Sequence, residues 1–305
     1  MARVLSKVGI RITKETVPGT YVTPTVVVKN EGIVIPQIEF DNPETPNFGF
    51  LSGTKDSITI ADWGRGTFDI ETSLTKTLAQ FETLFAICNL KKAAITTPAA
   101  GFKFTPTTNM TDTASIDVLL PDRKFAFKGA KANLKLTANV GEIIKATFSA
   151  SGSFDAQAIA NQTLTMPSAE EFIVLHRATV TTLDGTALNV QSIEFDMGST
   201  ISYEKFTNIG EYHLADFDPK ITLKVRLEAG AEDGFAKFQA GEALSFVATF
   251  IDGGGDDRWA LKCPKLKLSS SPSYEDAEGI FVLSREFAAR ATSGDDNFSL
   301  EHYTV

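Results

Sequence analysis

Residues 220–228 read KITLKVRLE, and this stretch decides the fold class. Apolar side chains occupy every second position and alternate with polar ones. This is the period of a β-strand that has one face on a core and the other face in water. Phe, which favours strands, accounts for 23 of the 305 residues. The sequence therefore predicts a mainly β protein. The same alternation recurs in residues 134–140, 144–151, 193–197 and 244–250.

Two segments have the spacing of a helix instead. In residues 74–90, apolar side chains recur three or four positions apart and form one face of an amphipathic helix. Thr72 or Ser73 is the expected N-cap, and Lys91 and Lys92 suit the negative end of the helix dipole. A shorter helix is predicted for residues 233–240. The expected apolar face of the longer helix consists of Leu74, Leu78, Phe81, Leu84, Phe85 and Cys88.

The two halves of the chain share a sequence pattern. Residues 125–131 read FAFKGAK and residues 259–265 read WALKCPK, and both segments are followed by a Leu-Lys-Leu strand. This alignment places Cys263 at the position of Gly129, where only a small side chain is needed. It also leaves residues 91–113 as an extra loop of the first half. We therefore predict a tandem duplication.

The predicted boundary falls in residues 155–169. The first domain would comprise residues 1–155 and the second residues 156–305. Each domain is expected to be a β-sandwich or barrel with a flanking helix, because an alternating strand precedes the helix candidate in both halves.

Charge is distributed unevenly between these halves. The net charge of the whole chain is −9, with +2 in residues 1–155 and −11 in residues 156–305. Such a balance disfavours a basic surface that grips nucleic acid. The acidic second half serves either solubility or a surface that faces a partner.

Residue types that perform catalysis or bind metals are scarce and scattered. The two cysteines, Cys88 and Cys263, are 175 residues apart, which excludes a disulfide scaffold or a zinc ribbon. We expect both to be small core residues. We expect His176 to lie at a strand edge, and His213 and His302 to be solvated. The sequence therefore predicts no catalytic residue, no cofactor site and no metal site.

The acidic run at residues 252–257 is expected to form a hairpin turn. It lacks the alternating ligands and the terminal Glu of a calcium-binding EF-hand loop. The apolar stretches are too short to cross a bilayer, and the first residues contain no apolar signal core. We therefore expect no membrane contact and no export by a cleaved signal.

The opening of the chain resembles the major tail tube proteins of long-tailed bacteriophages. The resemblance rests on Gly9-Ile10-Arg11 and on residues 14–25, KETVPGTYVTPT, followed by the blocks at 125–155 and 188–228. It extends over most of the chain, and its weight comes from the order of these loose motifs.

The resemblance implies a structural protein whose rings stack into a hollow tube, and no enzymatic activity. DNA would pass through the tube without specific binding, and the other partners would be tape-measure, tail-completion and baseplate proteins. The subunit would be made in the bacterial cytoplasm and end in the virion tail. Residues 16–25 and 42–47 are the candidates for contacts between rings.

If the duplication holds, three chains would close a ring of pseudo-sixfold symmetry, with six full chains as the alternative. The bore would be acidic, since carboxylates repel passing phosphates. The rival interpretations are another virion β-protein, such as a head decoration or tail-completion protein, and a carbohydrate-binding β-sandwich or β-rich hydrolase. The candidate lumen acids are Glu194, Asp196, Glu228, Glu232 and Asp233.

Overall fold

The computed structural model describes residues 9–41, 60–76, 78–108, 111–159, 172–175, 180–205, 210–226, 234–252, 257–277 and 280–305. Strands predominate, which confirms the mainly β prediction. Up to residue 159, the described elements are β1 (Gly9–Lys14), β2 (Val26–Val28), β3 (Gln37–Asp41), β4 (Ile60–Ser73), α1 (Ala79–Ile87), β5 (Leu90–Ile95), β6 (Gly101–Pro106), β7 (Ala114–Leu120), β8 (Arg123–Asn139) and β9 (Lys145–Ile159).

Strand β9 extends past residue 155, and residues 160–171 lie outside the described residues. The elements that follow are β10 (Ile173–Val174), β11 (Val180–Leu183), β12 (Thr186–Ala187), β13 (Val190–Asp196), β14 (Ser199–Lys205), β15 (Gly210–Phe217), β16 (Lys220–Arg226), α2 (Phe235–Ala240), β17 (Leu244–Asp252), β18 (Asp257–Leu268), β19 (Ser273–Ala277), β20 (Ile280–Ala289) and β21 (Ser299–Thr304).

Helix α1 is shorter than predicted because the chain before it belongs to the sheet. Thr72 and Ser73 lie in β4, and the backbone N–H of Leu74 donates to the carbonyl of Ile144 at 2.9 Å. The expected N-cap is therefore wrong; Leu78 takes that position without a side-chain hydrogen bond. The helix ends at Ile87 with Cys88 as its C-cap, and Asn89 follows with a φ of 57°, a left-handed conformation that commonly stops a helix.

The predicted face of α1 is nevertheless the buried face. Phe81, Leu84 and Phe85 are fully buried, and the rings of Phe81 and Phe85 stack 5.7 Å apart. Helix α2, between the left-handed residues Gly234 and Gly241, has no buried residue. Its predicted first residue, Asp233, lies outside the described residues.

The two halves pair their strands in the same order. In the first half the order is β2-β1-β7-β8-β9-β4-β3, and in the second half it is β12-β11-β17-β18-β20-β16-β13. All pairs in both orders are antiparallel. Hydrogen bonding joins 19 of the 21 described strands into one network, and β14 and β15 form a separate hairpin.

A bulge marks corresponding positions in the two halves. Between β7 and β8 the register runs from Ile116 opposite Phe127 to Ala114 opposite Ala130. Between β17 and β18 it runs from Phe246 opposite Cys263 to Leu244 opposite Leu266. Cys263 thus occupies the register position of Phe127. The sequence alignment, which placed it at Gly129, is two residues out at this point.

The predicted loop at residues 91–113 contains the β5–β6 hairpin, and this hairpin connects the halves. Strand β6 pairs with β21, near the end of the chain, and β21 pairs with β18. A second connection is made by β13, which pairs with both β16 and β8. The loop prediction was wrong: β5 and β6 form a local hairpin, and β6 has its second partner, β21, almost 200 residues away.

Trp259 on β18 fills the joint between the halves. Its ring is 5.7 Å from Phe81 and 5.9 Å from Phe85 on α1, and it stacks on Phe104 of β6 at 6.5 Å. Its indole N–H donates to the carbonyl of Thr75 at 3.0 Å. A buried Trp needs such a partner for its polar end. Helix α1 therefore belongs to a core that both halves share.

Candidate assembly surfaces

The segment between β1 and β2 is organised by one buried carboxylate, that of Glu15. Its Oε1 accepts hydrogen bonds from the Ser115 hydroxyl and the Gly129 N–H, both at 2.8 Å. Its Oε2 accepts from the Thr113 hydroxyl at 2.6 Å and the Gly19 N–H at 2.8 Å. One side chain thus ties the loop to β7 and to the bulge of β8.

Two glycines allow this loop to approach the sheet. Gly19 and Gly129 both have positive φ, at 74° and 61°. A Cβ on Gly129 would lie 3.5 Å from the Cα of Gly19, so the two backbones pass each other closely. The candidate inter-ring segment at residues 16–25 is therefore a loop that is anchored at its base and exposed at Val17.

A second anchor lies further along the same loop. The Tyr21 hydroxyl donates to Asp117 Oδ1 at 2.9 Å, and the Lys124 ammonium lies 3.0 Å from that hydroxyl and 3.3 Å from Asp117 Oδ2. Burial raises the pKa of Tyr21, so the ring stays a neutral donor. The Val22 N–H also donates to the Ser115 hydroxyl.

Sequence reasoning noticed this segment but did not identify the role of Glu15. The one local signal was an acidic residue directly after an alternating strand and four positions before a glycine. The partners Thr113, Ser115 and Gly129 are about 100 residues away, so the sequence alone does not bring them together. The other inter-ring candidate, residues 42–47, lies outside the described residues.

Of the candidate lumen acids, Glu194 and Asp196 lie on β13 as predicted. Glu194 forms an ion pair with Lys135 of β8. The Asp196 carboxylate accepts from the Asn133 side chain at 3.0 Å and the Gly198 N–H at 2.8 Å. Both acids thus connect the second half to the first. Glu228, Glu232 and Asp233 lie outside the described residues.

The cysteines are core residues as predicted, and two histidines differ from expectation. Cys88 and Cys263 are buried, and burial raises the pKa of both thiols. His302 is buried in β21, with its ring 4.9 Å from Trp259, so its predicted solvation is wrong. His213 lies in strand β15 rather than a loop. His176 lies outside the described residues.

The predicted hairpin at residues 252–257 has paired strands on both sides. Ile251 of β17 lies opposite Arg258 of β18, and residues 253–256 lie outside the described residues. Among the residues that the structure does describe, no three His, Cys, Asp or Glu side chains gather in a way that could hold a metal ion. Neither described helix is long and apolar enough to cross a membrane.

Lys131 is a buried cation that the sequence did not single out. Its ammonium donates to the Asn89 side-chain oxygen at 2.9 Å and to the Asp112 carbonyl at 2.6 Å. Burial lowers the pKa of Lys131 to about 8. An open cleft of about 560 Å³ beside it is lined by Lys14, Asn89 and Asp112, among others.

A sequence model of one family, described as phage tail tube protein, matches residues 6–291. This match covers nearly the whole chain, including both halves. The chain belongs to the phage tail tube protein family. The tail tube protein is therefore a structural component of the virion tail that assembles into a tube, and membership in this family implies a non-enzymatic role. No curated protein matches its sequence.

Proposed function

We propose that this tail tube protein forms rings that stack into a hollow tube, and that DNA leaves the capsid through the bore. The observation that carries the proposal is the family match over residues 6–291, which contains both halves with their common strand order. DNA passes without specific binding. Tape-measure, tail-completion and baseplate proteins bound the tube in the virion, and the subunit is made in the host cytoplasm.

The chain is a tandem duplication, with a first domain at residues 1–155 and a second at residues 156–305. The same antiparallel pairing order in both halves, with a bulge at the corresponding place, supports this proposal. Three such chains present six similar units and close a ring of pseudo-sixfold symmetry. Contacts within the ring are heterologous, which closes a ring when the rotation fits.

The loop at residues 16–25 contacts the next ring. Its base is held by Glu15 and Tyr21, so its tip has a fixed position that costs little entropy to dock. Pro18 and Pro24 lack the N–H that an unwanted strand partner would need. Val17, exposed at the tip, offers an apolar contact.

The bore is acidic, and the second half supplies most of its charge. This follows from the net charge of −11 in residues 156–305 and from the need to let phosphates pass without releasing counterions. The pairing of Glu194 with Lys135 reduces the contribution of that position. The other acidic side chains of the second half therefore contribute a larger share of the negative charge of the bore.

Electron microscopy and native mass spectrometry of the purified protein test the assembly. We expect rings that contain three chains and that stack into tubes. Rings of six full chains would reject the trimer and keep the tube. A chain that stays monomeric at every concentration, alone and with tape-measure protein, would contradict the proposed function.

A further inference from the structure

The contact between β13 and β8 connects the two halves of one chain. Strand β19 of the second half occupies the position that corresponds to this part of β8, and no described strand pairs with its second edge. In the first half, residues 135–139 of β8 pair with β13 of the second half on one edge, and residues 135–137 pair with β9 on the other. In the second half, β19 pairs with β20 as this part of β8 pairs with β9. Among the described strands, β20 is the one that pairs with β19.

Strand register identifies the corresponding residues. Just beyond the bulges, Lys131 faces Ser151 and Lys267 faces Ala288, so Ser151 corresponds to Ala288. Four residues earlier, Thr147 faces Lys135 and Ser284 faces Ser273. The five residues of β19 therefore correspond one to one to residues 135–139. Those are the five residues of β8 with which β13 pairs.

The counterpart of β13 is found in the same way. Asp196 of β13 faces Lys220, and Gln37 faces Thr67. Thr67 faces Ser151 as Lys220 faces Ala288. Residues 33–37 of the first half thus correspond to residues 192–196, and they precede β4 as β13 precedes β16.

Exposure in these segments fits an unmade contact. Val34 is buried, as is its counterpart Ile193, but the flanking Ile33 and Ile35 are 52% and 64% exposed. The two isoleucines alternate with the buried valine, so in an extended segment they lie on the opposite face, where they form an apolar strip that the described chain leaves exposed. Pro36 removes one donor from this segment, which discourages pairing with arbitrary strands.

The strands that would accept residues 33–37, β19 and β20, also expose apolar side chains. Leu136 and Ile144 are 4% and 0% exposed, and the second half covers them: Phe195 lies opposite Leu136, and the Ile144 N–H donates to the Ile173 carbonyl. The positions that correspond to Leu136 and Ile144 are Tyr274 and Phe281.

Tyr274 and Phe281 are 48% and 68% exposed. Apolar side chains thus stand at both positions where the first half is covered by the second. A surface that is apolar and exposed in this way marks an interaction site.

We propose that residues 33–37 of one subunit pair with β19 of the next subunit, antiparallel, with Ile35 opposite Glu275. The partner is a second copy of this chain, and the contact repeats between chains the β13–β8 contact made within each chain. Apolar side chains at alternate positions and main-chain hydrogen bonds would together give the affinity and the register. The inference rests on the proposed ring assembly.

Cysteine pairs test the register in assembled protein. The pair I35C/E275C should form a disulfide between chains on mild oxidation, and the covalent ladder on a nonreducing gel should end at the number of chains in the ring. The pair T137C/E194C is the matched positive control, because these residues face each other within one chain. The pair I35C/T137C is the negative control, because β13 already covers Thr137.

The outcomes separate this inference from the proposed function. Rings or tubes that form while I35C/E275C stays uncrosslinked, with T137C/E194C closed in the same sample, would overturn the register and leave the tube standing. A wild-type chain that never assembles would instead remove the proposed function. A second variant, I33K/I35K, should abolish rings and leave the circular dichroism of the subunit unchanged. The matched surface change V180K should leave ring formation intact. Loss of rings in V180K, while I33K/I35K still forms them, would contradict the proposal.

Discussion

Helices α1 and α2 follow corresponding strands, but only one of them is part of the core. Helix α1 buries Phe81 and Phe85 against Trp259 of the other half, whereas α2 buries no residue and leaves Phe238 exposed. The loops differ as well. The first half has an eleven-residue connection between β1 and β2 held by Glu15, while Asp184 and Gly185 alone connect β11 to β12. A common strand order thus allows one half to supply the buried helix of the shared core and the anchored loop.

Truncation of one phenylalanine side chain in each helix should show the largest contrast in stability. Phe85→Ala removes a fully buried ring at the joint, so we expect the free energy of unfolding to fall by about 3–5 kcal/mol. Phe238→Ala on α2 should cost less than about 1 kcal/mol, because its side chain is already partly in water. Denaturant unfolding of the subunit measures both. Similar losses in the two variants would show that α2 is as important to the core as α1.

A second contrast concerns two lysines at corresponding positions of β8 and β18. Lys131 is buried and Lys267 is exposed. Because the pKa of Lys131 is about 8 in the folded chain and 10.5 in the unfolded chain, the unfolded state binds more protons between these values. Stability from this group is therefore constant below pH 8 and increases by about 3 kcal/mol from pH 8 to 10.5.

Unfolding measured over that pH range in wild type, K131M and K267M checks this expectation. K131M should lack the rise, and K267M should keep it. Burial raises the pKa of the Cys88 thiol and the charge of Lys131 lowers it, so the three profiles are measured in a Cys88→Ala background, where the other titrating groups are common to all three proteins and cancel in the comparison. A profile for K131M that is parallel to the wild type would contradict a low pKa for Lys131.

The sequence alone predicted features that depend on neighbouring residues and missed features that depend on distant ones. Alternation in residues 220–228 and the three-to-four spacing around Phe81 correctly located strands and a buried helix face, because both periods depend on neighbours within a few residues. The start of α1 was misplaced because Leu74 is held by Ile144 and Ile173, 70 or more residues away. The pairing of β6 and the role of Glu15 escaped notice for the same reason: β6 pairs with β21 near the end of the chain, and Glu15 binds residues of the β7 and β8 region.

The anchored loop gives a third contrast, of smaller size. Each oxygen of the Glu15 carboxylate accepts one backbone N–H and one hydroxyl, so Glu15→Gln must place an NH₂ group against a backbone donor. We expect a loss of about 2 kcal/mol in unfolding free energy. Asp184→Asn in the two-residue turn of the second half should change it by less than about 0.5 kcal/mol.

The same pair of variants also separates contacts between rings from contacts within a ring. If the loop at residues 16–25 contacts the next ring, Glu15→Gln should shorten the tubes seen by electron microscopy and leave single rings intact. Full-length tubes at wild-type yield would show that this loop does not hold the rings together. Asp184→Asn serves as the control for handling and protein concentration.

The smallest effect is expected at the ion pair between Glu194 and Lys135. The residue of the first half that corresponds to Glu194 is Ile35, which has no charge. Both side chains of the ion pair are more than 40% exposed, so Glu194→Gln should change stability by less than about 1 kcal/mol.

If β13 faces the bore, however, the variant leaves the Lys135 ammonium without its carboxylate and adds one positive charge per subunit that passing phosphates can contact. Ejection of DNA should then slow at low salt and recover near 1 M salt, where the screening length is about 3 Å. The double variant E194Q/K135Q restores the net charge and should recover the wild-type rate at all salt concentrations. Ejection curves that coincide for the single and double variants would place this strand away from the DNA and assign the acidity of the second half to solubility.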